Sequence, residues 1–202
     1  MTALPAEAEP RLATVERATS ETQLSVTLCL DGEGNAEIDT GLGFLDHMLT
    51  ALAKHARFDL QISCNGDLEI DDHHTAEDTA LALGQALDRA LGERRGIRRF
   101  AHAYAPLDEA LARVVVDLSG RPSAHVEMGF ARERIGQIAT ENLTHFFHSL
   151  AVTGRMALHV DLLRGENDHH RAEAAFKALA LALRQAVALD GGTEVPSTKG
   201  VL

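Results

Sequence analysis

The chain has 202 residues, enough for one sizeable domain or two small fused units. Hydrophobic residues make up 45% and charged residues 24%, a soluble globular composition, and a formal net charge of −11 disfavours a nucleic-acid or anionic-membrane surface. The longest apolar stretches are broken by charge or Gly well before the ~18 residues that a membrane helix needs, and residues 1–10, with Glu7 and Glu9, read as a tail and not as a signal peptide.

In chain order, Glu21 to Gly32 alternates apolar and polar residues and closes on a turn signal, so a strand leading to a hairpin is expected. A short strand follows over Ala36 to Thr40, then a helix from about Leu42 to Ala56, a strand from Phe58 to Cys64, an acidic loop, and a long helix from about Thr75 to Leu91. The same order then returns. Glu109 to Gly120 is a strand with the same closing Gly, followed by a strand over Ser123 to Met128 and a loop with Gly136. A helix from about Ile138 to Thr153, a strand from Met156 to Leu162 and a helix from about His170 to Val187 complete the second pass. This is an internal duplication of a strand-strand-helix-strand-helix unit in an α/β (α+β) protein, with the halves joined near Gly92 to Pro106. The division is residues 1–10 as tail, 11–98 and 99–190 as the two halves, and 191–202 as a C-terminal tail, with no linker that would separate independent domains. Four apolar helices from two such units should pack together with the sheets outside. Cys29 and Cys64 lie alone in strand-like runs, which suits a reducing cytoplasm better than a disulfide framework.

The duplication repeats a chemical motif. His73-His74-Thr-Ala-Glu77 and His169-His170-Arg-Ala-Glu173 each open a long helix. Positions i and i+4 share a helix face, so His73 with Glu77, and His169 with Glu173, can converge on one point. The adjacent His74 and His170 are rotated by about 100° and point elsewhere, which suits a second metal better than the same one. Each motif can feed two sites, or one site completed by the other half. His47 precedes His73 by 26 residues and His145 precedes His169 by 24, each on the preceding helix, which should bring it near the next helix of its own half. Six histidines and two glutamates without a thiolate suit Mn, Fe, Ni or Zn, and vacancies for substrate make Mn a plausible choice. His55, eight residues after His47, could share that face and is read as a substrate contact. His102, His125, His148 and His159 lack duplicated partners and read as surface or core residues. The same ligands could serve a metal-dependent hydrolase or a metal-storage module.

Several blocks in register narrow the choice. Gly41-Leu-Gly-Phe-Leu-Asp-His-Met-Leu49, Asp71-Asp-His-His-Thr-Ala-Glu-Asp78, Asp117-Leu-Ser-Gly-Arg-Pro122, Asn167-Asp-His-His-Arg-Ala-Glu-Ala174, Phe176-Lys-Ala-Leu179 and Ser197-Thr-Lys-Gly200 resemble the signature blocks of imidazoleglycerol-phosphate dehydratases. The resemblance runs from about Arg11 onward. It implies a four-helix bundle between two mixed sheets, a homo-oligomeric shell of 24 subunits with metals between neighbouring chains, and Mn²⁺ dependence with two ions per chain. It also implies the histidine-biosynthetic conversion of imidazole glycerol phosphate to imidazole acetol phosphate, with no nucleic-acid or membrane partner. By position it assigns substrate contact to Glu21, favoured here as acid/base, and phosphate contact to Arg99, Arg121, Ser197 and Lys199, with Thr198 between them. Lys177, one turn beyond Glu173, could steady a hydroxyl.

The chemistry fits such a site. The departing hydroxyl sits on the carbon next to the imidazole ring, and the proton sits on a carbon that no carbonyl acidifies. Lewis acids on the ring nitrogens favour the imidazolate, which expels hydroxide to give a diazafulvene. That electron sink acidifies the neighbouring C–H, and an acid/base group must move both protons.

Overall fold

The computed structural model describes residues 9–202, so most of the expected N-terminal tail lies outside the described residues. The first half comprises β1 (Leu12–Ala18), β2 (Thr22–Cys29), β3 (Ala36–Asp39), α1 (Gly43–Ala56), β4 (Asp59–Gly66) and α2 (His73–Leu91). The second comprises β5 (Phe100–Leu107), β6 (Ala110–Asp117), β7 (Ser123–Glu127), β8 (Arg134–Ile135), β9 (Ile138–Ala139), α3 (Thr140–Thr153), β10 (Ala157–Arg164) and α4 (Asp168–Ala186). The duplication is real, and each unit gains a leading strand, β1 or β5, ahead of the expected five elements. The reason is compositional. The inward residues of β5 are Ala101, Ala103 and Ala105, whose small side chains carry little apolar alternation, so the stretch reads as a junction.

The sheets share one topology, β1-β2-β4-β3 and β5-β6-β10-β7, antiparallel except for the last pair, which is parallel. Leu24 faces Cys64, Val26 faces Ile62 and Leu28 faces Leu60 across β2 and β4, all buried, while Thr14 and Thr27 hydrogen-bond on the outer face at 2.9 Å. In the second sheet Val114 faces Val160 and Val116 faces Leu158, again buried. This in/out alternation is that of a sheet with one face on a core.

The four helices fill the space between the sheets. α2 lies on β1 and β2, α1 on β3, α4 on β5 and β6, and α3 on β7, while the helix-to-helix contacts cross the halves, α1 against α4 and α2 against α3. Small residues allow close approach. Gly84 of α2 meets α3 so tightly that a Cβ there would lie 2.2 Å from Thr153 Oγ1 and 2.7 Å from the Leu150 carbonyl oxygen. Among the described residues no helix is long and apolar enough to cross a membrane.

Candidate metal centre

Both His-His-x-x-Glu motifs sit in the first turns of α2 and α4, and the residues just before them fix those turns. Asp71 Oδ1 accepts from the His73 N–H and Asn167 Oδ1 from the His169 N–H, each at 2.9 Å, satisfying donors that a helix start leaves free. The next residue of each motif, Asp72 or Asp168, is buried. Asp72 Oδ2 accepts from the Ala139 N–H at 2.6 Å, and Asp168 Oδ2 from the Arg132 N–H at 2.6 Å, so buried carboxylates tie both motifs to the loops that precede α3.

His47, His169 and Glu173 form one group, and His73, Glu77 and His145 form another, each offering ligand atoms within 4.8 Å of one another. His47 Nε2 lies 3.2 Å and His169 Nε2 3.3 Å from Glu173 Oε2. His145 Nε2 lies 2.9 Å from Glu77 Oε1, and His73 Nε2 3.8 Å from Glu77 Oε2. The expectation that each upstream histidine serves its own half is therefore corrected. His47 joins the second motif and His145 joins the first, because α1 packs on α4 and α3 on α2. Each group thus draws its upstream histidine from the other half of the chain.

His74 and His170 belong to neither group. The His74 Nδ1 is held by Asp67 at 3.0 Å and the His170 Nδ1 by Glu109 at 2.7 Å. Those carboxylates raise both histidines above the usual imidazole range. Glu109 is in turn pushed down to about 2, chiefly by the Asn167 N–H, then by His170 and the Glu166 N–H. A carboxylate on Nδ1 leaves Nε2 as the atom to offer a metal. His74 Nε2 faces Glu21 at 3.7 Å, and His170 Nε2 faces Asp108 at 3.9 Å.

Lys177 Nζ sits 2.6 Å from Glu173 Oε1. Burial alone would raise the Glu173 carboxyl, but Lys177 and His47 outweigh it and hold it below the ordinary value. His55 is lowered first by burial and then by the nearby Lys177 cation, with Glu173 opposing, which sets it near the His47/His169/Glu173 group.

The expected phosphate residues gather elsewhere. Arg99 donates to Asp117 at 2.7 Å and to the Pro196 carbonyl at 2.7 Å, and its guanidinium stacks 4.4 Å from the Phe100 ring centre. Ser197 Oγ accepts from the Lys199 N–H at 3.2 Å in a tail turn that also holds Thr198. The chain end returns to Gly120, where a Cβ would lie 2.5 Å from the Leu202 carbonyl carbon, beside exposed Arg121. The Arg99 N–H bonds the Ala186 carbonyl at the last residue of α4, whereas Glu173 lies in that helix's first turns. At 1.5 Å per residue the two are roughly 20 Å apart along the axis. Within one chain, Arg99 and the tail it anchors therefore lie at the opposite end of α4 from the Glu173 group.

A further group, His125, Glu127 and Asp161, lies on the outer face of the second sheet, where exposed His125 is the strand-surface residue expected. Arg113 already holds its Asp161 at 3.0 Å. Sequence reasoning missed Asp67, Asp72, Glu109 and Asn142 as supporting residues. Asp67 and Asp72 carried a signal as acids leading into the first motif, while Glu109, 61 positions before His170, carried none that links it to the second.

A model of the imidazoleglycerol-phosphate dehydratase family matches residues 40–183. An imidazoleglycerol-phosphate dehydratase of Phytophthora nicotianae is 58% identical over 95% of this chain, which spans 42% of that longer relative. One of Salinibacter ruber is 55% identical over 96% of both chains. The solved structure of the Pyrococcus furiosus protein, in complex with (S)-C348, superposes with a TM-score of 0.81 at 40% identity over 93% of this chain and 100% of that one. Sequence, duplicated fold and crossed His/Glu groups agree, and the chain belongs to the imidazoleglycerol-phosphate dehydratase family.

Proposed function

We propose that this chain is a dinuclear, Mn²⁺-dependent hydro-lyase that removes water from D-erythro-imidazole glycerol phosphate to give imidazole acetol phosphate, in L-histidine biosynthesis in the cytoplasm. The observation that carries the reading is the pair of crossed groups, His47/His169/Glu173 and His73/Glu77/His145. Neutral imidazoles and carboxylates with no thiolate suit a first-row divalent ion, so the donor set fits. Bound there, such ions would supply Lewis acidity to the imidazole ring of the substrate.

The chain's own residues do the rest. His74 and His170, backed by Asp67 and Glu109, turn Nε2 away from the groups of their own chain and would complete groups of a neighbouring copy. Glu21, beside His74, is the group that would protonate the leaving hydroxyl and accept the carbon-bound proton. Lys177, fixed on Glu173, would steady a substrate hydroxyl near His55. Arg99, Arg121, Ser197, Thr198 and Lys199 would take the phosphate through charge-assisted hydrogen bonds. Because the separation along α4 is roughly 20 Å, those residues would come from a different copy than the metal ligands. That geometry supports an active site shared between subunits of a 24-subunit shell. Residues 11–98 and 99–190 are then the two repeat halves of one catalytic domain, and 191–202 a substrate-binding tail.

The test is turnover of imidazole glycerol phosphate by metal-stripped protein with and without added Mn²⁺. Activity restored only by Mn²⁺, with two ions bound per chain, is expected. A folded chain that binds stoichiometric metal without turnover would overturn the substrate assignment.

A further inference from the structure

The two crossed groups carry the same three ligand types, and the duplication makes their surroundings directly comparable. His145 corresponds to His47, so Asn142, one turn earlier on α3, corresponds to Phe44 on α1. Glu77 corresponds to Glu173, so Leu81 on α2 corresponds to Lys177 on α4. At both positions chemistry changes where topology does not.

Asn142 is buried and its amide orientation is fixed from behind. Its Nδ2–H donates to the buried Asp72 Oδ2 at 3.0 Å, which turns Oδ1 toward His73 Nδ1 at 2.9 Å. An amide oxygen only accepts, so the His73 proton sits on Nδ1 and the lone pair on Nε2 faces Glu77. At the pseudo-equivalent place the Phe44 ring meets the His169 ring edge-on, with centroids 5.0 Å apart. Nδ1 of His169 has no hydrogen-bond partner among the described residues, so nothing behind the ring holds the proton on Nδ1, and its one polar contact is Nε2 to Glu173 Oε2 at 3.3 Å. The carboxylates differ as well. Glu77 turns one oxygen to each histidine, Oε1 to His145 and Oε2 to His73. Glu173 has Oε1 taken by the Lys177 ammonium at 2.6 Å, leaving Oε2 for both His47 and His169. A lysine cation on the ligand carboxylate also repels a divalent ion.

We propose that the two groups hold their ions with unequal affinity, the His73/Glu77/His145 group more tightly, and that Asn142 is the positioning residue that sets the difference. His74 and His170 are each backed by a carboxylate, so what a neighbouring copy would add does not cancel it. The inference rests on the metal-binding reading of the two groups. It implies an enzyme that can be held half-loaded, with Lys177 making the second ion the exchangeable one.

The test is graded removal of metal from the Mn²⁺-loaded protein with a chelator, counting bound Mn²⁺ per chain and recording turnover in parallel. Two release steps of one ion per chain are expected. Asn142→Leu should bring the later step forward by about 10–100-fold in chelator concentration and leave the earlier step in place. Lys177→Leu, which copies Leu81, should delay only the earlier step. Release of both ions in one step would overturn the inference while leaving the metal sites standing, and a protein that binds no Mn²⁺ would overturn both. An Asn142→Leu variant that shifts both steps equally would reduce Asn142 to a packing residue and sink its assigned role. An unmoved earlier step in Lys177→Leu would do the same for the lysine.

Discussion

His47 and Glu173 stand 126 positions apart in sequence, and their Nε2 and Oε2 atoms lie 3.2 Å apart. That contact joins the first half of the chain to the second, as does His145 with Glu77 at 2.9 Å. Neither repeat half carries a complete group. His47→Ala should therefore remove one Mn²⁺ per chain and spare the other, with turnover lost. Metal counting on the purified variant checks it. Loss of both ions, or of neither, would show that the halves do not share ligands in this crossed way.

The tail gives a second expectation. Arg99 holds the Pro196 carbonyl at 2.7 Å, and the turn it anchors contains Ser197, Thr198 and Lys199. Ending the chain after Pro196 keeps the anchor and deletes the three residues assigned to phosphate. Charged hydrogen bonds of about 1.5–3 kcal/mol are removed, so the substrate KM should rise by one to two orders of magnitude. Metal content should stay at the full-length value. An unchanged KM would take Ser197, Thr198 and Lys199 out of the site.

How much of this was readable beforehand depends on what each residue's signal consists of. The His-Glu pairs were legible because i,i+4 spacing is a property of one helix. The duplication was legible because motifs and strands recur at nearly constant offset. The crossing of His47 and His145 was not, since helix-on-helix packing is decided by small residues such as Gly84 meeting Thr153, and spacing along the chain does not encode it. β5 was hidden by its inward alanines. Asn142 was hidden because a lone helix amide carries no pattern; its meaning comes from the buried Asp72 behind it and His73 before it. The Arg99–Asp117 pair lay in plain view as charges, with nothing in the sequence to place the tail beside it.

Gly84 allows a packing test of the same crossing. An added Cβ would meet Thr153 Oγ1 at 2.2 Å and the Leu150 carbonyl at 2.7 Å. The hydroxyl can rotate away, but the carbonyl belongs to α3's backbone and cannot. Gly84→Ala should destabilise by ~1–3 kcal/mol despite the better helix propensity of Ala. Thr153→Ala added to it should recover only part of the loss, because the backbone contact stays. A double-mutant cycle from denaturant unfolding checks this, and full recovery would mean that the side chain alone sets the spacing of α2 and α3.

Glu109 gives an acid-range prediction whose sign is fixed by its direction of shift. Its carboxyl is held at about 2 in the folded chain against 4.5 unperturbed, first by the Asn167 N–H and then by His170. A carboxylate depressed on folding stabilises the native state fully above pH 4.5, and that contribution disappears as the pH falls from there toward about 2. Glu109→Gln lacks the titrating group. It should be less stable than the parent at neutral pH and lose less on acidification, so that the two thermal midpoints draw together as the pH falls from 4.5 toward about 2, measured on metal-free protein to keep ligand loss out of the comparison. The variant also leaves the His170 Nδ1 facing an amide in place of a carboxylate, which lowers that histidine toward its ordinary range and weakens Nε2 as a ligand. Midpoints that stay equally far apart at pH 7 and pH 3 would show that Glu109 acts on stability by packing or hydrogen bonding alone, with no part for its charge.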